Sequence, residues 1–402
     1  MSTPVPLSPT SGPGLRLLLA ILIVALNLRG AVTSVGPLLD LIQTELALSS
    51  AAAGFLASLP LFAFAFVSPY AAVLARRIGI ESSIFVALLS LLAGIALRHV
   101  TGPFFLYTGT ALIGIGIAIN NVLLPGLLRR EFMQQLPLVT ALLTMVLVTV
   151  GGLGSALAIP LLQLGGWRPS LLAWLLPVVI GLVVWAPRLR HNTRPQAPPA
   201  QRSSLWRSAV AWQVSLFMAC QSTAFYVMIA WLPSLLADLE GISPARSGWI
   251  LFIYQIFVLG GVMGVPVLLQ RCDDQRWIGA GCASLIFIGY AGLLFATADA
   301  LFWLSVMGLG AGGSLVLALT WFGLRASSTG QAVALSGMAQ AIGYLVSALA
   351  PILVGWLHDA TQGWTLPLLL MLGFAGLQVC MGYLSGRPLK VGESATQSGT
   401  GG

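Results

Sequence analysis

Apolar residues run through this chain in blocks of about 20 or more, and charges, prolines and glycines gather in the gaps between them. A helix that crosses a ~30 Å hydrocarbon core needs roughly 20 such residues, so each block predicts one span. The spans fall near 15–42, 51–75, 82–99, 103–128, 137–163 and 168–187, then near 208–237, 244–270, 277–298, 300–324, 329–357 and 363–386. The blocks are continuous and do not alternate over ~10-residue segments, which excludes a transmembrane β-barrel. The expected fold class is all-α: a polytopic membrane protein whose twelve transmembrane helices form two six-helix bundles.

Composition agrees. Of 402 residues 57% are hydrophobic and 7% charged, against about 25% charged in an ordinary soluble domain. Such a chain cannot cover a water-facing surface. The first apolar run is of spanning length and lacks a small-residue cleavage site, so it reads as an uncleaved helix, and no lipidation motif is present. Cys220, Cys282 and Cys380 fall within predicted helices and Cys272 in a loop, a spacing that gives no disulfide framework.

One long polar stretch, RLRHNTRPQAPPAQRSSLWR, separates the halves. The expected organisation is therefore an N-terminal bundle at 1–187, a linker at 188–207, a C-terminal bundle at 208–386 and a polar tail at 387–402. With both termini in the cytoplasm, fifteen of the 19 Lys and Arg residues lie inside and three (Arg98, Arg168 and Arg246) outside, as the positive-inside rule requires. This bias accounts for the net charge of +8. The charges are spread over seven segments without an aromatic platform, so no nucleic-acid partner is expected.

The remaining cation is Arg29, inside the first span, while all eleven acids sit at helix ends, in loops or in the tail. An arginine at mid-bilayer costs at least ~2.5–3.5 kcal/mol and must face the bundle interior or a cavity. Its planar fork of donors suits a carboxylate-like anion. With no buried acid to pair with it, its expected partner is an anionic substrate. The rival reading ties it to backbone carbonyls or amides at a helix kink.

The halves also repeat each other at an offset near 194. LSSAAAGFL, from Leu48, parallels ISPARSGWI, from Ile242. Gly114, Gly116 and Ala118 align with Gly308, Gly310 and Gly312, which sets Asn120 against Ser314, while Asn27 falls opposite Gln221. Parallel six-helix repeats are the build of transporters that rock two bundles about a central site.

Twelve spans, a 6+6 repeat and a basic central linker resemble the major facilitator superfamily. That family's loop signature, G-x-x-x-D-R-x-G-R-R, appears as AVLARRIGIE at 72–81, keeping Arg77 and Gly79 but placing Arg76 where the family has Asp. The segments NLRGAVTSVGPLL (from Asn27), ASLPLFAFAFVSPYAAVLARRIG (from Ala57) and IGIAINNVLLPGLLRR (from Ile115) resemble the CynX/NimT branch of cyanate and 2-nitroimidazole transporters. The resemblance implies a bacterial inner-membrane transporter of small polar or anionic solutes, with Arg76, Arg77 and Gly79 as a gating loop.

Other binding candidates are Asn27, Asn120, Asn121 and Gln221, each equally readable as interhelical glue. Asn27 lies about 200° around a helix from Arg29, so the two should not both face a cavity. Ser336, Gln340, Tyr344, Ser347 and Pro351 share one helical face, and Gln340 and Tyr344 are its better binding candidates. Tyr226, Tyr254 and Trp321 could stack on a planar solute or simply fill the core. No H-E-x-x-H, buried acid pair or P-loop pattern occurs, so neither an enzyme nor a cofactor is expected. The expected function is secondary or facilitated transport of a small polar or anionic solute by a monomer. The alternative is a multidrug exporter for hydrophobic or cationic compounds. Without an intramembrane acid, coupling is expected to be facilitated flux, exchange, or co-transport in which the solute carries the proton.

Overall fold

The computed structural model describes residues 12–48, 50–195, 205–241, 244–272, 274–296 and 299–392. Linker residues 196–204, tail residues 393–402, and Ser49, Ile242 and Ser243 of the first repeat pair lie outside this set. Among the described residues every regular element is helical. The first half comprises α1 (Gly12–Ala25), α2 (Gly30–Thr33), α3 (Leu39–Glu45), α4 (Ser50–Ile78), α5 (Ile80–His99), α6 (Pro103–Phe132), α7 (Leu136–Ala158), α8 (Trp167–Leu172) and α9 (Leu175–Trp185). The second comprises α10 (Ala209–Glu240), α11 (Pro244–Leu269), α12 (Arg276–Phe295), α13 (Ala300–Leu324), α14 (Thr329–Thr361) and α15 (Thr365–Ser385).

Among the described residues eleven stretches are long and apolar enough to span a membrane, and one of them, Pro103–Ala158, has 56 residues. As a single helix it would extend ~84 Å, far more than one crossing. It is broken by a 3₁₀ turn at Met133–Gln135, and Asn121 of α6 and Leu143 of α7 line the same cavity. The chain therefore reverses there, and the described helices make twelve crossings, six in each bundle. The first span is α1 and α2 with a turn at Leu26–Arg29 between them, and the sixth is α8 and α9. These two interruptions are the main departures from the continuous helices expected.

The repeat is visible in the packing. A Cβ at Gly116 would lie 2.5 Å from the Ala87 carbonyl of α5, and one at Gly310 would lie 2.5 Å from the Cys282 carbonyl of α12. Each glycine thus brings the fourth helix of its bundle against the backbone of the third. Gly114 packs on Pro60 and Ala63 of α4, and Gly308 on Tyr254 and Phe257 of α11, again equivalent partners. In lipid, helices associate through such close packing because apolar burial alone gives no preference.

Each bundle also carries a polar clasp on the face where the described chain begins and ends, the termini face. Glu81, fully buried at the start of α5, pairs with Arg130 at the end of α6 at 2.6 Å and accepts from the Thr193 backbone N–H at 2.8 Å. At the repeat-related place, Gln275 Oε1 accepts from Arg325 Nη2 at 2.6 Å and from the Trp321 indole at 2.7 Å.

Candidate substrate site between the bundles

Arg29 sits at the break in the first span. Its φ of −132° and ψ of −45° are not those of a helical residue, and α2 starts immediately after it. The side chain is half-buried and points across to the other bundle. Nη1 donates to the Tyr226 hydroxyl of α10 at 3.1 Å, and the guanidinium carbon lies 5.9 Å from the Phe225 ring centroid. Tyr226 in turn stands edge-on to Tyr344 of α14, with centroids 6.4 Å apart, and Tyr344 stands edge-on to Phe64 of α4 at 4.9 Å. One cation and four aromatic rings, from the first span, α4, α10 and α14, thus meet at the bundle interface.

Beside them is a cavity of about 20 Å³, lined among others by Arg29, Asn121, Leu143, Met218, Gln340 and Tyr344. That volume holds about one water, so the site is contracted. Gln340 Nε2 donates to the Asn121 carbonyl and to Ser336 Oγ, both at 2.8 Å. Ser336, Gln340 and Tyr344 therefore share a face, as their spacing requires. No carboxylate lines the cavity among the described residues.

Other candidates lie elsewhere. Asn27 is buried and turned away: its Nδ2 donates to the Ile23 carbonyl at 2.9 Å and faces Gly181 of α9. Asn120 is fully buried without a hydrogen-bond partner among the described residues, and its repeat partner Ser314 is in the same state. Of the adjacent asparagines only Asn121 reaches the cavity. Gln221 is buried and accepts from Ser222 Oγ at 3.3 Å. Tyr254 is fully buried, with its backbone carbonyl against Gly308, and the Trp321 indole donates within the second bundle.

At the expected gating loop, Gly79 has φ +95°, a conformation that L side chains rarely adopt, and Asn192 folds over it, donating to the Ile78 carbonyl at 2.5 Å. Arg76 is half-buried and Arg77 exposed. The nearby acid that forms an ion pair is Glu81, two residues beyond Gly79. Arg98, expected at the outer end of the third span, is instead 1% exposed inside the first bundle. Two participants gave no signal in the sequence: Phe64, one aromatic among many, and Arg129, whose Nη1 donates across the interface to the Gly323 carbonyl at the end of α13.

The Major Facilitator Superfamily profile matches residues 17–348. The chain is 40% identical over 379 residues to the 2-nitroimidazole transporter of Escherichia coli (strain K12), covering 93% of this chain and 96% of that protein. It is 27% identical over 350 residues to the cyanate transport protein CynX of the same organism, covering 85% and 90%. In fold it is similar to the transporter FucP in the outward conformation, with a TM-score of 0.75 at 15% identity over 92% of this chain and 98% of that one. The chain belongs to the Major Facilitator Superfamily, in the branch of the cyanate and 2-nitroimidazole transporters, and is a membrane transporter of small solutes rather than an enzyme.

Proposed function

We propose that this transporter carries a small planar solute with a negative or electron-rich end, held by Arg29 and enclosed by Tyr226, Tyr344 and Gln340. The observation that carries this reading is a guanidinium on the cavity wall whose described partner is a neutral phenol. A charged donor facing a cavity without an acid favours an anion there, because desolvation strengthens the attraction. The surrounding ring edges suit a flat solute. The cyanate and nitroimidazole solutes named for the relatives fit this chemistry. A multidrug exporter for hydrophobic or cationic compounds fits less well, since the charge on the described cavity wall is positive.

The bundles touch on the termini face through Arg129–Gly323, Gly126–Val333 and Gln340–Asn121. Transport proceeds by alternating access: these contacts part as the bundles rock, and the contracted site opens by turns to each side. The basic bias of the loops supports a cytoplasmic position for that face and both termini, in a bacterial inner membrane. The 1–187 and 208–386 halves move as the two units, and one chain supplies both walls of the site, so a monomer suffices. Among the described residues no carboxylate lines the cavity to carry a proton, so flux is facilitated, exchanged, or coupled through a proton on the solute itself.

The test is thermal stabilisation of purified wild type and Arg29→Gln by cyanate, bicarbonate, nitrate, short carboxylates, 2-nitroimidazole and cationic dyes. Stabilisation by anions that is lost in the variant is expected. Equal stabilisation of both proteins by neutral aromatics or cations overturns the reading.

A further inference from the structure

We propose that Arg98 is a positioning residue for Arg29: from α5 it holds the backbone of the short helix α2 and so sets where the substrate-facing guanidinium points. This inference rests on the assignment of Arg29 to the solute. The interruption of the first span leaves its carbonyls short of helical partners. The Val35 N–H, which in an unbroken helix would close onto Ala31, bonds instead to Val32 at 3.2 Å. The Ala31 carbonyl is taken by Arg98 Nη1 at 2.7 Å, while Arg98 Nε donates to Thr110 Oγ1 of α6 at 3.0 Å. One buried guanidinium therefore joins three segments, and the backbone it fixes begins one residue after Arg29.

The second bundle shows what the arginine adds. Tyr290 of α12, related to Arg98 at an offset of 192, sends its hydroxyl to the Ala224 carbonyl of α10 at 3.3 Å. The two carbonyls are themselves related at 193. There α10 runs unbroken from Ala209 to Glu240, and an uncharged phenol suffices. In the first bundle the helix is broken, and the same place carries a charged donor at shorter range. Arg98 has no ion-pair partner among the described residues, so its place is not explained as half of a salt bridge. Burying a guanidinium is expensive, and the group it serves is a carbonyl whose loss of partner would free α2.

The test compares Arg98→Met, Arg98→Lys and Arg29→Gln in proteoliposomes, reading KM and Vmax for 2-nitroimidazole and cyanate, together with amide exchange over residues 30–35 in the absence of solute. Arg98→Met is expected to raise KM by about tenfold with little change in Vmax, as the loss of one buried charged hydrogen bond implies. Exchange over residues 30–35 should quicken while that over α7 is unchanged, and Arg98→Lys should recover most of the KM. If Arg98→Met fails to assemble, Thr110→Val, which removes the Nε acceptor and keeps the charge, should raise KM about threefold. Unchanged KM and unchanged exchange at 30–35, alongside a large effect of Arg29→Gln, would overturn the role of Arg98 and leave the site intact. An Arg29→Gln variant with wild-type KM would instead overturn the site assignment, while quickened exchange at 30–35 would still report the Arg98 clamp.

Discussion

Arg29, at the break in the first span, donates from Nη1 to the phenol oxygen of Tyr226 on the opposite bundle at 3.1 Å. The bond crosses the plane on which the halves must separate, so it belongs to the closed arrangement and to the solute site at once. A hydrogen bond to a charged group contributes about 1.5–3 kcal/mol. Tyr226→Phe keeps the ring and its edge contacts but loses that bond. The variant should transport with KM raised roughly tenfold and an unchanged helical spectrum. Initial uptake rates across a solute series check it.

A second bond across the same plane lies nearer the termini face, where Arg129 donates to the Gly323 carbonyl at the end of α13. A cation there also meets the negative end of the helix dipole. Arg129→Met should shift the population toward separation on that face. Leu143→Cys, in a Cys272→Ser/Cys380→Ser background, should then react with an impermeant maleimide from that side about tenfold faster or more, given ~1.5–3 kcal/mol for the lost bond.

Glu81 belongs to a bundle rather than to the interface. It is fully buried and paired with Arg130 at 2.6 Å, and removing one member of a buried pair is destabilising by about 3–5 kcal/mol, less here because Arg130 is partly solvated. Glu81→Ala should lower the melting temperature in detergent by several degrees while leaving KM for any solute that still saturates near wild type. A matched loss of affinity in differential binding assays would move Glu81 into the transport site.

On the opposite face Glu45 accepts from the Trp167 indole at 2.6 Å and pairs with Arg168. The Arg168 and Trp167 hydrogen bonds hold its carboxyl below the ordinary carboxylate range. A depressed carboxylate contributes stability at neutral pH and loses it as pH falls through its folded value. Glu45 is half-exposed, so the contribution is small, about 1 kcal/mol or less. Trp167 fluorescence should therefore be flat between about pH 5 and 8 and change only below about pH 4. In Glu45→Gln that acid transition should be missing.

Much of this architecture was legible because a bilayer makes span length and charge placement nearly obligatory. Arg29 stood out for the same reason: a lone cation inside an apolar run has few physical explanations. What could not be read was direction. Asn120 and Asn121 differ by about 100° around α6, and only packing turns Asn121 to the cavity and Asn120 into the bundle. Asn27 was ambiguous until the break at Leu26–Arg29 gave it the Ile23 carbonyl. Arg98, beside His99 at a helix end, has the local sequence of a loop cation, and its burial depends on a carbonyl 67 residues away.

The glycine seams at Gly116 and Gly310 press backbone on backbone inside each bundle, while between the bundles α14 packs along α4, with Gly337 facing the Ser68 carbonyl. The seams can stay intact through a transport cycle, whereas the α4–α14 contact must slide or part as the bundles rock. Natural variation can accordingly retune how fast this carrier cycles by exchanging single side chains on the dividing plane, while changes at the seams would be expected to cost the protein its assembly.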